Sequence, residues 1–338
     1  MTNSSIVQIK RLSFPWETSD PFLFCAHHAD AYPNGNEDLG PDTSLAGRNL
    51  GQDFTIKDGF RMYHGLTVPG FPSHPHRGFE TITIATSGLV DHADSLGAAG
   101  RFGEGDVQWM TAGSGVQHSE MFPLLNHDTD NPLEIFQIWL NLPKKSKMVP
   151  PHFSMLWNEN IPIVQHHDSH NRSTDIKIIA GEYGDHMPPL PPPDSWASDT
   201  SNHVWVWTLK LEPHAAFTIP ASVPGLNRSI YFYKGDELTI EEAKIPTYHS
   251  VQLNSDMDTL VKNGDEAGYI LLLQGKPIDE PVAQYGPFVM NTQQEIMEAM
   301  NDYQKTQFGG WPWPRTDQVH DRKLGKFARH ADGTEEFK

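Results

Sequence analysis

Two short clusters carry the residue types for metal chemistry: His74-Pro75-His76 and, about forty residues later, His118-Ser119-Glu120. Side chains alternate across a β-strand, so residues i and i+2 project from one face. An H-x-H facing an H-x-E across a sheet therefore offers three imidazoles and one carboxylate to a single ion. Neutral imidazole and carboxylate are borderline donors that suit divalent iron, manganese, cobalt, nickel, copper or zinc. With four donors and no thiolate, such an ion keeps positions open for O₂ or an oxygen-bearing substrate, unlike a closed structural zinc site. The chain has 18 histidines, so any one alone reads as a surface or core residue. It is the phased pairing of the clusters that points to ligands. On the same alternation Glu80 falls on the face of His76, provided Gly78 introduces no bulge.

These side chains need strands to present them. Pro75 fixes its own φ and biases His74 toward extended backbone. Ahead of the second cluster, the stretch from Gly105 to Gly115 reads as turn, strand and glycine-rich bend, which lets the chain turn and deliver His118. Ile6 to about Phe24 reads as an opening strand and turn, and Asp30 to Gly51 as a polar loop. Strands are expected at Phe60 to His64, Glu80 to Ala85, Asp106 to Thr111 and Ile135 to Leu142, each bounded by turn residues. Pro143 to Pro151 reads as a connection. His166 to Ser173 reads as a solvated loop, so His166, His167 and His170 are not taken as ligands. A strand follows at Ile176 to Ile179.

Met187 to Asp194 (MPPLPPPD) cannot form a helix or a central strand and is taken as the boundary between two halves. The second half repeats the β pattern at Val204 to Leu211, Ser229 to Tyr233, Glu237 to Ile240, Ser250 to Leu253 and Tyr269 to Leu273. One helix is expected from Gln293 to about Gln304, with Thr292 as N-cap, Glu295 closing a capping box, and Ile296, Met300 and Tyr303 on one face. The tail from Gly309 is expected to wrap the surface or be partly disordered. The fold class is all-β, a duplicated sandwich with a short C-terminal helix. The expected domains are 1–186 holding the metal, 195–305 without metal, and a tail 306–338. His203, His214 and His249 in the second half have no H-x-H and no partner cluster, so no metal is expected there.

Bulk composition bounds the partners. The formal net charge is −18 over 338 residues, which disfavours direct nucleic-acid binding. The run Lys144-Lys145-Ser146-Lys147 is too short for a nuclear-localisation signal. No apolar run reaches the length of a membrane helix, and Met1 to Phe14 shows no signal peptide. Cys25 is the single cysteine, which fits a reducing, cytoplasmic setting and excludes an intramolecular disulfide.

The runs from His74 to Thr81 and Gly105 to Met121 closely resemble the pirin family of the cupin superfamily. So do Tyr285 to Thr292 and the short Asp20 to Phe24. The resemblance spans roughly Asp20 to Gln304. It implies a bicupin, two cupin-type β-sandwich barrels in one chain, with one mononuclear metal, usually iron as Fe(II), in the N-terminal barrel. Its ligands match His74, His76, His118 and Glu120, while Glu80 becomes a pocket residue near the ligands. The Asp30 to Gly51 excursion looks longer than in compact pirins and could reshape the pocket entrance.

The resemblance also implies two candidate functions. One is a quercetin 2,3-dioxygenase-type enzyme acting on a small aromatic flavonol and O₂, with carbon monoxide released and Glu120 as the base. Phe79, Trp109 and Met110 could then wall a planar ligand, though simple core packing is the better reading for at least half of them. The alternative is a non-enzymatic, redox-sensing transcription coregulator whose metal tunes binding to a protein partner.

Overall fold

The computed structural model describes residues 4–338. The chain divides into two compact units that interleave in sequence. One takes the stretch up to Cys25 together with Glu159–Asp279, and the other takes Ala26–Asn158 with Glu280–Lys338. The proline-rich segment 187–194, read above as a boundary, lies inside the first unit. Proline stops strand pairing there, but the strands on either side, Ser173–Ala180 and Trp205–Leu211, are hydrogen-bonded neighbours. The chain leaves the sheet and comes straight back to it.

Each unit is a sandwich of two sheets. In the first, one sheet runs Ile6–Arg11, His249–Asn254, Asn227–Lys234, Gly268–Gly275, Trp205–Leu211, Ser173–Ala180, Ile163–His167. The second sheet runs Ala216–Ile219, Thr259–Asn263, Glu237–Ile240, Ala243–Pro246. Their inward residues, among them Trp207, Leu209, Ile230, Phe232, Leu238, Val261 and Leu272, form one core. The strand Ile163–His167 corrects the sequence reading of a polar loop at 166–173: His166 and His167 pair with Thr174 and Ser173. Edge strands carry polar residues that mimic loop composition.

In the other unit, one sheet runs His152–Leu156, Val107–Thr111, Phe79–Ser87, Asn131–Asn141, Phe22–Tyr32. The facing sheet runs Glu335–Phe337, Phe327–Arg329, Ala99–Gly103, Leu89–Asp94, Val116–Met121, Gly70–His76. Phe102, Met110, Val116, Phe122, Ile135 and Phe153 fill the space between. The tail is thus neither loose nor a wrapping: it supplies two strands of the sheet that bears the histidines. The buried Arg101 fixes it there, donating to the carbonyls of His320 (2.9 Å), Asp321 (3.0 Å) and Leu324 (2.8 Å) while paired with Asp91 (2.7 and 2.8 Å).

Phe60 to His64 is not a strand. Only isolated bridges form there, Asp53 with Tyr63, Lys57 with Phe60 and Tyr63 with Gly70. Side chains clasp the region instead: Arg48 donates to Asp53 (3.0 Å) and to the Phe60 carbonyl (3.0 Å). Asp30, read as loop, sits in the strand Phe22–Tyr32. There it accepts from Arg61 Nε (2.9 Å) and from the Tyr63 hydroxyl (2.6 Å). The helix spans Gln293–Thr306 with the Thr292–Glu295 capping box in place and Ile296 and Ala299 buried.

Candidate metal centre

The strands Gly70–His76 and Val116–Met121 pair antiparallel, with His74 directly opposite His118. Directly paired residues share a face, and so do i and i+2. His74, His76 and His118 therefore converge, their ligand nitrogens all within 4.8 Å of one another. Glu120 continues the same face, with its Oε2 3.8 Å from His118 Nε2.

The facing sheet completes the site. Gly78 adopts φ +86°, so the chain turns sharply between His76 and the strand Phe79–Ser87. That turn removes Glu80 from the phase of His76. Phe79 is the residue that packs on His76, at 5.1 Å between rings, and Thr83, on the same face, donates to Glu120 Oε1 at 3.1 Å. Glu80 points the other way, where the Thr111 hydroxyl donates to it at 2.6 Å. It is not a pocket residue. Trp109, paired with Ile82, shares that outward face, while Met110 is buried in the core. Of the three candidate wall residues only Phe79 borders the histidines, stacked at 3.9 Å on Trp139, which itself lies 5.3 Å from His76.

The donor set fits a divalent metal. Both ring nitrogens of His118 are buried without a hydrogen-bond partner, and those of His76 lack a well-aligned one. Buried polar atoms in that state are uncommon, and a metal would use their lone pairs. His74 Nδ1 donates to the Pro72 carbonyl at 2.9 Å, which orients Nε2 toward the centre. Burial holds all three imidazoles neutral: it pulls His74 down to about 4, and His76 and His118 well below the usual histidine range. Burial also pushes the Glu120 carboxyl up, against the pull of His92, Gln137 and Thr83. Gln137 Nε2 holds its Oε2.

A third polar pair on this face went unread in the sequence: His92-Ala93-Asp94. His92 lies opposite Glu120 and Asp94 opposite His118. The His92 and His118 rings are 5.5 Å apart, and His92 Nε2 is 3.4 Å from Asp94 Oδ2. The H-x-D spacing was the available signal. Thr83 and Gln137 had no such signal, because only sheet pairing brings them to Glu120. The histidines read in the second half of the sequence, which belong to the first unit, are scattered: His203 sits at a left-handed turn, His214 beside Asp265, and His249 against the Thr247 carbonyl.

Of the triad, His74 alone retains solvent exposure. Phe71 lies 6.3 Å from it, with His64 5.8 Å and Phe54 6.4 Å from Phe71. Phe54 is 44% exposed, and an exposed aromatic offers a contact surface for a planar ligand.

The chain matches the family model described as Pirin over residues 11–140 and that of the Pirin C-terminal cupin domain over residues 206–309. A Pseudomonas aeruginosa protein named "Putative quercetin 2,3-dioxygenase" is 39% identical over 243 residues, 71% of this chain and 79% of that one. Human Pirin is 33% identical over 262 residues, 74% of this chain and 81% of that one. The crystal structure of quercetin 2,3-dioxygenase from Acinetobacter baumannii superposes with a TM-score of 0.71 at 28% identity, covering 90% of this chain and 98% of that chain.

Proposed function

The chain belongs to the pirin family of two-barrel cupins, and from that premise we propose that it is a metal-dependent dioxygenase cleaving a flavonol or similar planar enol with O₂. The observation that carries this reading is the cluster of three neutral imidazoles beside a carboxylate, two of them buried and the third, His74, partly exposed with Phe71 6.3 Å away. Similarity to the Pseudomonas and Acinetobacter proteins supports the reaction class. We assign His74, His76, His118 and Glu120 as the ligands of one divalent metal, on the chemistry of this donor set, and Fe(II) as that metal, on the family resemblance. No helix among the described residues is long and apolar enough to cross a membrane, and a cytoplasmic setting accords with the single cysteine.

When bound, the metal supplies a Lewis acid and a one-electron centre for an enol oxygen and O₂. The chain's own residues do the rest. Glu120 takes the enol proton on a carboxylate oxygen. Thr83 and Gln137 hold that carboxylate in line, and burial raises its proton affinity toward what a base needs. Phe79 and Trp139 keep water from the His76 side.

Anaerobic protein loaded with Fe(II) should bleach a flavonol once O₂ is admitted. Fully metallated protein that leaves flavonols intact would reject the enzyme reading in favour of a protein-interaction role. In Glu120→Gln, turnover should fall by roughly a hundredfold or more, the range of general-base contributions. The three imidazoles would still retain part of the metal, so kcat is compared per bound ion. Equal kcat per metal would remove Glu120 as the base. If the flavonol reaches the metal past the exposed Phe54, Phe54→Ala should raise its KM by roughly three- to tenfold, the worth of one aromatic contact, with metal content unchanged. An unaltered KM would place the entrance elsewhere.

A further inference from the structure

Arg77 and Gln117 each adjoin a ligand, His76 and His118, and alternation along the chain turns them away from the ligand face. Both are buried, and both are gripped by the helix Gln293–Thr306 and the turn that ends it. Arg77 Nη1 donates to Asp302 Oδ2 at 2.8 Å. Its Nε donates to the Ser114 carbonyl at 2.6 Å, in the bend that leads into the strand Val116–Met121. Gln117 Nε2 donates to the carbonyls of Gln307 (2.6 Å) and Gly310 (3.2 Å), while its Oε1 accepts from the Tyr303 hydroxyl at 3.0 Å.

Phe308 sits between these two anchors. Gln307 and Phe308 both hold left-handed backbone, with φ +47° at each. Residues other than glycine rarely adopt it, and two in succession are a local strain that the surroundings must hold in place. The strain places one ring. The Arg77 guanidinium carbon lies 4.5 Å from the centre of the Phe308 ring. Gly115 is fitted to the same ring, since a Cβ there would come within 2.7 Å of it. Phe288 and Tyr303 pack on it as well, at 6.0 and 5.3 Å between rings. Phe308 thus fills the notch between the turn after His76 and the bend before His118, although it touches neither ligand.

We propose that Phe308, acting through Arg77 and the Gly115 bend, is a positioning residue of the metal centre: its ring sets the spacing of the two ligand strands and so the approach of His76 to His118. The inference rests on the metal assignment and not on the dioxygenase reaction.

Co(II) is the probe, added anaerobically to the full-length chain after chelation and dialysis. Its affinity is read by competition with a chelator, and its visible absorption band reports the ligand geometry. Phe308→Ala should bind Co(II) roughly tenfold more weakly, the lower end of what losing a ligand's supporting partner costs, and its band should shift. Phe308→Leu, which refills the notch, should restore most of both. Leu133→Ala opens a cavity elsewhere in the same unit, at a core residue packed beside Gly88. It should lower the melting temperature and leave Co(II) affinity and band as in the wild type. Should Phe308→Ala not fold, Asp302→Asn decides the matter: Asp302 is half-exposed, and weakening its hold on Arg77 should lower Co(II) affinity and move the band in the same direction. Wild-type affinity and band in folded Phe308→Ala, an equal Co(II) loss in Leu133→Ala, or, where Phe308→Ala does not fold, an unaltered Asp302→Asn would each overturn the inference. A wild-type chain that takes up no Co(II) would reject the metal assignment, and this inference with it.

Discussion

A His76→Ala protein is expected to fold, to lose its metal and, with it, all flavonol turnover. His76 is 3% exposed, and its ring touches His74, His118, Phe79 and Trp139 at 4.8 to 5.3 Å. Removing the ring leaves a cavity, which destabilises the sandwich. The same change removes two buried nitrogens that lack well-aligned protein partners, which works in the opposite direction. The fold should therefore persist. Metal affinity has no such compensation. Losing a partner that merely orients a ligand costs about 10- to 100-fold, and losing a ligand outright should cost at least the upper end of that range. Metal content by elemental analysis, with melting as the control, checks the outcome. Undiminished metal in a folded variant would mean the ligands are elsewhere. His166→Ala, on an edge strand of the other unit, is the matched control and should leave metal content unchanged.

The second large effect concerns the tail. Asp91→Ala should destabilise the metal-bearing unit by about 3–5 kcal/mol, the cost of stripping the partner from a buried ion pair. Asp91 and Arg101 are both completely buried and joined by two hydrogen bonds. Asp91 also accepts from the backbone N–H of His320 at 2.8 Å. Without the carboxylate the Arg101 charge is stranded, and the clasp on residues 320–324 loosens. Hydrogen exchange should then accelerate in Phe327–Arg329 and Glu335–Phe337 before it does in Phe79–Ser87. Because a two-unit chain need not melt in one step, exchange is a better measure than a single midpoint. Replacing both partners, Asp91→Leu with Arg101→Met, should be milder than Asp91→Ala alone. Protection of the tail strands unchanged in Asp91→Ala would show that the clasp does not hold them.

These effects mark where the sequence was readable. His74, His76, His118 and Glu120 could be picked out because strand parity is a local rule, and the structure brings the three imidazoles within 4.8 Å. The helix Gln293–Thr306 was equally plain, since Thr292 and Glu295 advertise its start. Parity misled at Glu80, where one glycine with positive φ ended the strand before the count was complete. Phe60 to His64 looks like a strand by composition, yet its backbone is held by Arg48, Asp53 and Asp30. The tail strands are three residues each, too short for any periodicity to register. Their place depends on Arg101, more than two hundred residues upstream. Gln137 and Thr83 reach Glu120 from the facing sheet, a relation that no local pattern carries.

The most direct test is stoichiometric. Protein reconstituted anaerobically with Fe(II) is mixed with quercetin and a limited, known amount of O₂, and flavonol loss and carbon monoxide release are measured together. Dioxygenase cleavage at this centre predicts one carbon monoxide released for each flavonol and each O₂ consumed, and none from His76→Ala. Flavonol untouched by the metallated protein, or consumed without carbon monoxide, would contradict it.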